Sequence, residues 1–338
     1  MILRVISKEK DGLVLVEDET GKDKMVVRFG TVWVGMIALM EVTYTDNVYK
    51  LEMVLNLGEK LDLPNLSFQD PKAAYRLLFV KGAFLNSDSM DNIGLKVLTS
   101  ELKKLREKER SRVNGVVIMG PLINSNHELI VNSIEKTYEE EAMDQIKMIK
   151  DEIHKISDDI EIIFMPATDD LTTYYPIPQP KHTFFSPSFK NVRFTSNPGT
   201  ILLSSGLNKN VVIDMMNMDL LHYIDENRTG MAQKSILQDN LETYLKQPFI
   251  LTNTEEEPFD ETNLPELYNS GKFGDIIVTS SRKNPPFATE VSGKMFVNVG
   301  SLGVDKENYT NNHYMTLISV YEGTGPVGLR TKVESISM

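Results

Sequence analysis

Along the first 58 residues, apolar and β-branched positions come in short runs: Arg4–Ile6, Leu13–Val16, Lys24–Phe29, Trp33–Thr43 and Tyr49–Leu55. Lys10-Asp11-Gly12, Glu19-Thr20-Gly21 and Thr45-Asp46-Asn47 separate them with residues that favour turns. Five strands in so short a span predict a small closed barrel of the OB type. The competing reading is a three-stranded meander that belongs to the next domain. Asn56 to Pro71, with Gly58, Pro64 and Pro71, shows no periodicity and reads as a junction.

From Tyr75 the period changes. Tyr75–Val80 is an apolar run of the buried-strand type, and Leu95, Leu98, Leu102 and Leu105 follow at spacings of 3, 4 and 3, one face of a helix. Val116–Met119 is a second run. Ala142, Ile146, Ile149, Ile153 and Ile156 form a second helical face, and Ile160–Phe164 is a third strand. Strand, helix, strand, helix, strand predicts a parallel α/β core. Further strands are expected at Thr200–Leu203, Val211–Met215, Asp275–Thr279, Lys294–Val299 and Met315–Tyr321. A helix is expected from about Ala232 to Leu245, and an acidic, proline-bearing loop over Asn253–Leu264. The domain division that follows is a barrel over 1–58, a linker over 59–72 and an α/β domain over 73–338.

Composition narrows the chemistry. The chain has 338 residues, 41% apolar and 25% charged, as a globular protein has. The absence of cysteine excludes disulfides, thiolate nucleophiles, Cys-ligated zinc and iron–sulfur clusters. A multi-histidine metal centre would have to gather most of His127, His154, His182, His222 and His313. The net charge of −12 argues against an autonomous grip on nucleic-acid phosphates. It leaves room for work beside DNA through a partner. Residues 1–12 contain no apolar stretch of the secretory kind, and Thr31–Val42, interrupted by Gly35, is too short to span a bilayer. An intracellular, soluble protein is expected.

Four local motifs have ordinary readings. Gly323-Thr324-Gly325-Pro326-Val327-Gly328 fits G-x-G-x-x-G, but only ten residues follow, so it reads as a terminal loop and not a dinucleotide site. The basic residues between Lys103 and Arg112 alternate with Glu107 and Glu109, the solvated back of a helix. Asp169-Asp170 reads as turn capping, and His127 as a surface residue after a capping cluster. The run Tyr174-Tyr175-Pro176-Ile177-Pro178-Gln179-Pro180 is less ordinary. Three prolines at alternate positions force an extended path that cannot join a central strand.

Taken in order, several motifs resemble one family. Leu77–Phe84 and Gly120-Pro121-Leu122-Ile123-Asn124-Ser125-Asn126-His127 look like the calcineurin-like phosphoesterase core of the B-subunits of eukaryotic replicative DNA polymerases. Phe164–Asp170, then Tyr175–Pro180, Phe194-Thr195-Ser196-Asn197-Pro198, Met218–Ile224, Asp275–Val278 and Val297–Leu302 resemble later landmarks of that core. The Pro-Gln-Pro segment and the Asp219-Leu220-Leu221-His222 stretch tilt the resemblance to the alpha type over delta and epsilon. The alpha type generally carries a helical domain ahead of its barrel. Here the barrel strands begin near Met1, so a shortened, divergent member is expected.

The resemblance implies a fold class: α/β with an all-β N-terminal domain, an OB barrel followed by a calcineurin-like phosphoesterase β-sandwich flanked by helices. In active relatives, strand-end loops hold two metals with Asp, Asn and His, which activate water and clamp phosphate oxygens. Here those loops read Lys81-Gly82-Ala83, Gly120-Pro121-Leu122, Ala167-Thr168-Asp169-Asp170 and Thr279-Ser280-Ser281-Arg282. The loop-shaping glycines partly persist and the ligands do not. The expectation is therefore a degenerate site marked by Lys81, Gly82, Gly120, Pro121, Asp169, Asp170, Ser280 and Arg282, with no metal, no cofactor and no catalysis. The function implied is a scaffold in the nucleus: the accessory subunit of the polymerase alpha–primase complex. It would hold the C-terminal domain of the alpha catalytic subunit, with the primase subunits joining through that tail and no strong contact to nucleic acid. Tyr174, Tyr175, Pro176, Ile177 and Pro178 are candidate partner contacts; packing against the subunit's own cleft or domains is the rival reading. The competing function is a metal-dependent phosphoesterase or nuclease of the same fold.

Overall fold

The structure, a computed structural model, describes residues 1–18, 20–28, 32–34, 36–45, 48–55, 74–82, 93–107, 113–124, 137–156, 158–170, 179–181, 191–203, 210–229, 236–245, 273–280, 286–301, 314–323 and 325–337. The chain divides into two compact units, Met1–Pro64 with Leu220–Phe273, and Asn65–Asp219 with Gly274–Met338. Among the described residues no helix is long and apolar enough to cross a membrane.

In the first unit, β1 (Ile2–Lys8), β2 (Leu13–Asp18), β3 (Gly21–Val26), β5 (Ile37–Thr45) and β6 (Val48–Leu55) form a closed barrel in the order β1-β2-β3-β6-β5. Closure comes from antiparallel pairing of β1 with β5 and parallel pairing of β3 with β6. The period-2 alternation of β2 puts Val14 and Val16 inside and leaves their neighbours half-buried. Asp11 and Gly12 both take positive φ, 60° and 76°, which lets the β1–β2 connection turn tightly. The expected Trp33–Thr43 strand is two elements. β4 (Val32–Trp33) turns at Met36, whose N–H donates to the Trp33 carbonyl, before β5 begins.

β4 pairs with β13 (Arg228–Thr229), and the Tyr223 hydroxyl donates to the Val34 carbonyl at 2.8 Å. These bonds attach the 220–273 stretch to the first unit, so the 73–338 stretch expected as one domain is interrupted there. Among its described residues that stretch carries two helices, Leu220–Asn227 and Ile236–Tyr244; the second lies inside the expected Ala232–Leu245 span.

The second unit holds two sheets. The six-stranded one runs β10 (Val192–Phe194), β9 (Glu161–Met165), β8 (Gly115–Met119), β7 (Ala74–Lys81), β17 (Tyr314–Tyr321) and β18 (Thr331–Ser337), with β7 to β10 parallel. The five-stranded one runs β11 (Gly199–Leu203), β12 (Val211–Met216), β14 (Ile276–Ser280), β16 (Lys294–Val299) and β15 (Phe287–Val291). One core joins their facing sides, with Phe79, Val117 and Met165 from the first sheet against Ile213, Val278 and Val297 from the second. The other face of the six-stranded sheet is covered by α1 (Ile93–Glu107) and α2 (Tyr138–His154), through Leu98 and Leu102 of α1 and Ile146, Ile149 and Ile153 of α2. α2 starts on a capping box: Thr137 Oγ1 accepts from the Glu140 N–H, and the Glu140 carboxylate accepts from the Thr137 N–H.

The glycine-rich segment after β17 is not a terminal loop. A 3-10 turn at Gly328–Arg330 leads into β18, which pairs antiparallel with β17. Burial and charge set the far end of the five-stranded sheet. Lys294 Nζ donates to the Gly274 carbonyl at 3.0 Å. Burial pushes its ammonium below the ordinary lysine range, and the nearby Asp275 and Asp214 carboxylates oppose that shift.

Candidate functional site at the strand ends

The parallel strands of both sheets end on the same side, and their last residues carry polar groups into the inter-sheet space. Lys81 ends β7 and Ser280 ends β14. Each continues the parity of apolar residues in the inter-sheet core, Leu77 and Phe79 on β7, Ile276 and Val278 on β14. Both are therefore aimed between the sheets, and they meet there. Lys81 Nζ donates to Ser280 Oγ at 2.8 Å. Ser280 Oγ donates in turn to Asn217 Oδ1 at 2.9 Å.

Asn217 follows β12 and is the hub. Its Nδ2 donates to the carbonyls of Gly120, at 3.1 Å, and Pro166, at 3.0 Å, just past the ends of β8 and β9. Its backbone N–H donates to Asn197 Oδ1 at 2.9 Å. Asn197 Nδ2 donates to Gln179 Oε1 at 2.8 Å and to the Asn217 carbonyl at 3.2 Å. Gln179 Nε2 closes the chain on the Ala167 carbonyl at 3.0 Å. Gln179 and Asn197 also exchange backbone bonds. All of these side chains are buried, so the bonds form where an unpaired polar group would be costly.

A second tie joins the loops after β8 and β9. Asp170 is fully buried and its Oδ2 accepts from the Leu122 N–H at 3.0 Å. Asn124 Nδ2 donates to Asp169 Oδ2 at 3.3 Å. The acidic pair therefore spans two loops, where capping of its own turn was expected. The own-turn bond, Asp170 N–H to the Ala167 carbonyl, is present as well. Gly120 is required by this closeness: a Cβ there would lie 2.9 Å from Asp170 Oδ2 and 3.0 Å from the Ala167 nitrogen.

Of the sequence-predicted loop residues, Lys81, Gly82, Gly120, Pro121, Asp169, Asp170 and Ser280 come together at this one end of the sandwich. Gly82 joins through its N–H to the Met119 carbonyl. Arg282 and the candidate contacts Tyr174, Tyr175, Pro176, Ile177 and Pro178 lie outside the described residues. The hub Asn217 was not singled out in the sequence. Its neighbours were, since Gln179, Asn197 and Asp219 all sit in the motifs that carry the family resemblance.

The chemistry open to this arrangement is limited. A lysine beside a serine is the geometry of a base-activated nucleophile. Here Ser280 is fully buried and its proton is directed to Asn217, not to the amine. A two-metal site needs several anionic oxygens or imidazoles around each ion. Among the described residues the strand ends instead offer carboxamides bonded to one another and to backbone carbonyls, a lysine, and Asp169 and Asp170 engaged with the Asn124 amide and the Leu122 N–H. Among the described residues no group of three or more His, Asp or Glu is placed to hold an ion. The donor set among the described residues does not fit a metal pair.

The model of the B-subunit family of DNA polymerases alpha and epsilon matches residues 77–289. No curated protein matches the chain. Among solved structures, Vps29 of Entamoeba histolytica complexed with zinc is 12% identical, with 78% of this chain and 98% of that chain covered at a TM-score of 0.32. Vps29 of Chaetomium thermophilum is 13% identical, with 78% and 96% covered at 0.32. TT1561 of Thermus thermophilus is 8% identical, with 78% and 99% covered at 0.34. Proteins of the matching family are accessory subunits of replicative DNA polymerases and are generally non-catalytic. The match takes in more than half of the chain, from the strand that ends in Lys81 to Thr289 in β15, and on it this chain belongs to the B-subunit family of DNA polymerases alpha and epsilon.

Proposed function

We propose that this chain is the non-catalytic B-subunit of a polymerase alpha–primase complex, acting in the nucleus as the scaffold for the catalytic subunit's C-terminal domain. The observation that carries the reading is the family match over 77–289. The strand-end network supports the non-catalytic part, because its amides and lysine lie in the loops for which the resemblance implies metal ligands in an active relative. The choice of alpha rests on the Pro-Gln-Pro segment and the Asp219-Leu220-Leu221-His222 stretch. The barrel order β1-β2-β3-β6-β5 supports an OB module, which here would dock protein. Primase would join through the same tail. A permanent contact of this kind buries on the order of 2,000 Å² or more and is centred on aromatic anchors. Tyr174 and Tyr175, which precede three prolines in the sequence, are the proposed anchors.

The test is co-purification of the full chain from its native source, with the bound polymerase subunit identified by mass spectrometry. Binding to purified C-terminal domains of the alpha, delta and epsilon catalytic subunits runs in parallel. Capture of the alpha tail is expected, and preference for another tail reassigns the chain to that polymerase. Replacing Tyr174 and Tyr175 by alanine should weaken that capture while leaving the melting temperature unchanged. A lowered melting temperature with binding retained would assign the tyrosines to the subunit's own core.

A further inference from the structure

β4 and β13 pair two residues with two, and the register sets Arg228 directly opposite Trp33. Side chains directly opposite on paired strands share a face, with Cβ atoms about 4.5–5.5 Å apart. Both residues belong to the first unit. Trp33 is fully buried, yet its indole Nε1 has no hydrogen-bond partner among the described residues. Arg228 Nη1 is also buried and without a partner there. Thr229 Oγ1 is a third such group, but alternation along β13 puts it on the opposite face, with Val32. Arg228 has one ion pair among the described residues, from Nε to Asp225 Oδ1 at 3.6 Å, beyond hydrogen-bond range. An unpaired buried donor is costly, and two of them on facing side chains repeat that cost at one place.

An indole N–H and a guanidinium only donate, so whatever completes this pair must bring acceptors. We infer that Trp33 and Arg228 form a carboxylate-binding site on the first unit, one carboxylate oxygen accepting from the indole N–H and the other from Arg228 Nη1. A carboxylate offers two oxygens to two donors, and its single charge matches the one cation. A phosphate dianion or a nucleic-acid strand would bring surplus negative charge beside Asp225, in a chain of net charge −12. The Arg228 side chain is 23% exposed, so the pair borders solvent on the arginine side. The inference holds whichever polymerase the chain serves.

Trp33 is the only tryptophan in the chain, so tryptophan fluorescence of the full chain reads this site alone. Titration with sodium acetate should change the emission saturably, and sodium chloride at equal ionic strength should not. Arg228→Met should weaken acetate binding by about tenfold or more, as the loss of a charged hydrogen-bond partner does. If Arg228→Met does not fold, Asp225→Asn, at an exposed side chain, removes the competing carboxylate and should tighten acetate binding. A blocked Gly-Glu-Gly peptide, with Gly-Gln-Gly as its uncharged control, separates the sources. Tighter binding of the glutamate peptide than of acetate makes the ligand a protein segment, the reverse makes it a free carboxylate, and both support the site. No response of the wild type to either carboxylate overturns the inference and leaves the two donors to buried water. So does an equal response to chloride, inorganic phosphate or the Gly-Gln-Gly peptide, or acetate binding unchanged by Arg228→Met or by Asp225→Asn.

Discussion

Asn217→Leu tests the hub most sharply, because the change nearly conserves volume and removes only hydrogen bonding. The side chain makes three bonds: to the Gly120 carbonyl, to the Pro166 carbonyl and from Ser280 Oγ. All three partners are buried, with the Ser280 side chain fully so. Leaving a buried polar group unsatisfied costs about 1–3 kcal/mol. The three losses are coupled through one side chain, and the leucine regains roughly 1 kcal/mol of apolar burial. A net loss of about 3–5 kcal/mol follows. A unit of about 150–250 residues loses roughly 2–4 °C per kcal/mol, so its transition should fall by about 6–20 °C. Scanning calorimetry of the full chain reads this directly. A urea series should show a lower midpoint with an unchanged slope. Asn210→Ala, at an exposed residue, is the control and should stay within about 0.5 kcal/mol. A fall of less than about 2 °C for Asn217→Leu would refute the claim that the network holds the strand ends.

Three further outcomes are expected. Gly120→Ala should destabilise by about 1–3 kcal/mol in the same calorimetric assay, because its Cβ would press on an Asp170 carboxylate held by the Leu122 N–H. Lys294 gives a pH signature: its folded-state pKa lies below the ordinary lysine value of 10.5, so between those two values the unfolded chain binds more protons and stability rises with pH. Urea melts from about pH 8 upward should show wild type gaining on Lys294→Met through that window, and a flat difference would refute the burial effect. The barrel should not bind single-stranded DNA, although Tyr44 is exposed beside Tyr49 with ring centroids 5.0 Å apart. Its cations Arg4 and Lys24 are paired with Glu17 and Glu9, and stacking without a cationic groove is insufficient. A fluorescence titration with oligo-dT that gives micromolar, salt-sensitive binding would contradict this.

Much of the fold was legible because it rests on local periodicity. The barrel strands, the helical faces of α1 and α2, and the central strands β7, β8, β9, β12, β14, β16 and β17 are either alternating or continuously apolar. These are the segments that burial selects for. Of the strands missed in the sequence, β10, β15 and β18 are the edge strands of their sheets among the described residues, and β10 and β13 are only three and two residues long, too short to show a period. The return of Leu220–Phe273 to the first unit was also invisible, since it is made by pairings distant in sequence, among them a two-residue pairing and a tyrosine hydroxyl bond that leave no local pattern.

The site divides in the same way. Sequence alone determined which residues occupy the strand-end loops, Lys81-Gly82-Ala83, Gly120-Pro121-Leu122 and Ala167-Thr168-Asp169-Asp170 among them, because whether a position holds a carboxylate, an imidazole or neither is a matter of residue identity. It also marked Lys81, Asp170 and Ser280 as occupants of those loops. Only the tertiary structure decided what the occupants do. Lys81 and Ser280 are 199 residues apart and Asn217 and Gly120 are 97 apart, so no local pattern relates them. An asparagine in a sequence is equally a cap, a turn or a surface residue. What made Asn217 a hub is that the parallel strands of two sheets end at one place, and that buried carbonyls there require donors.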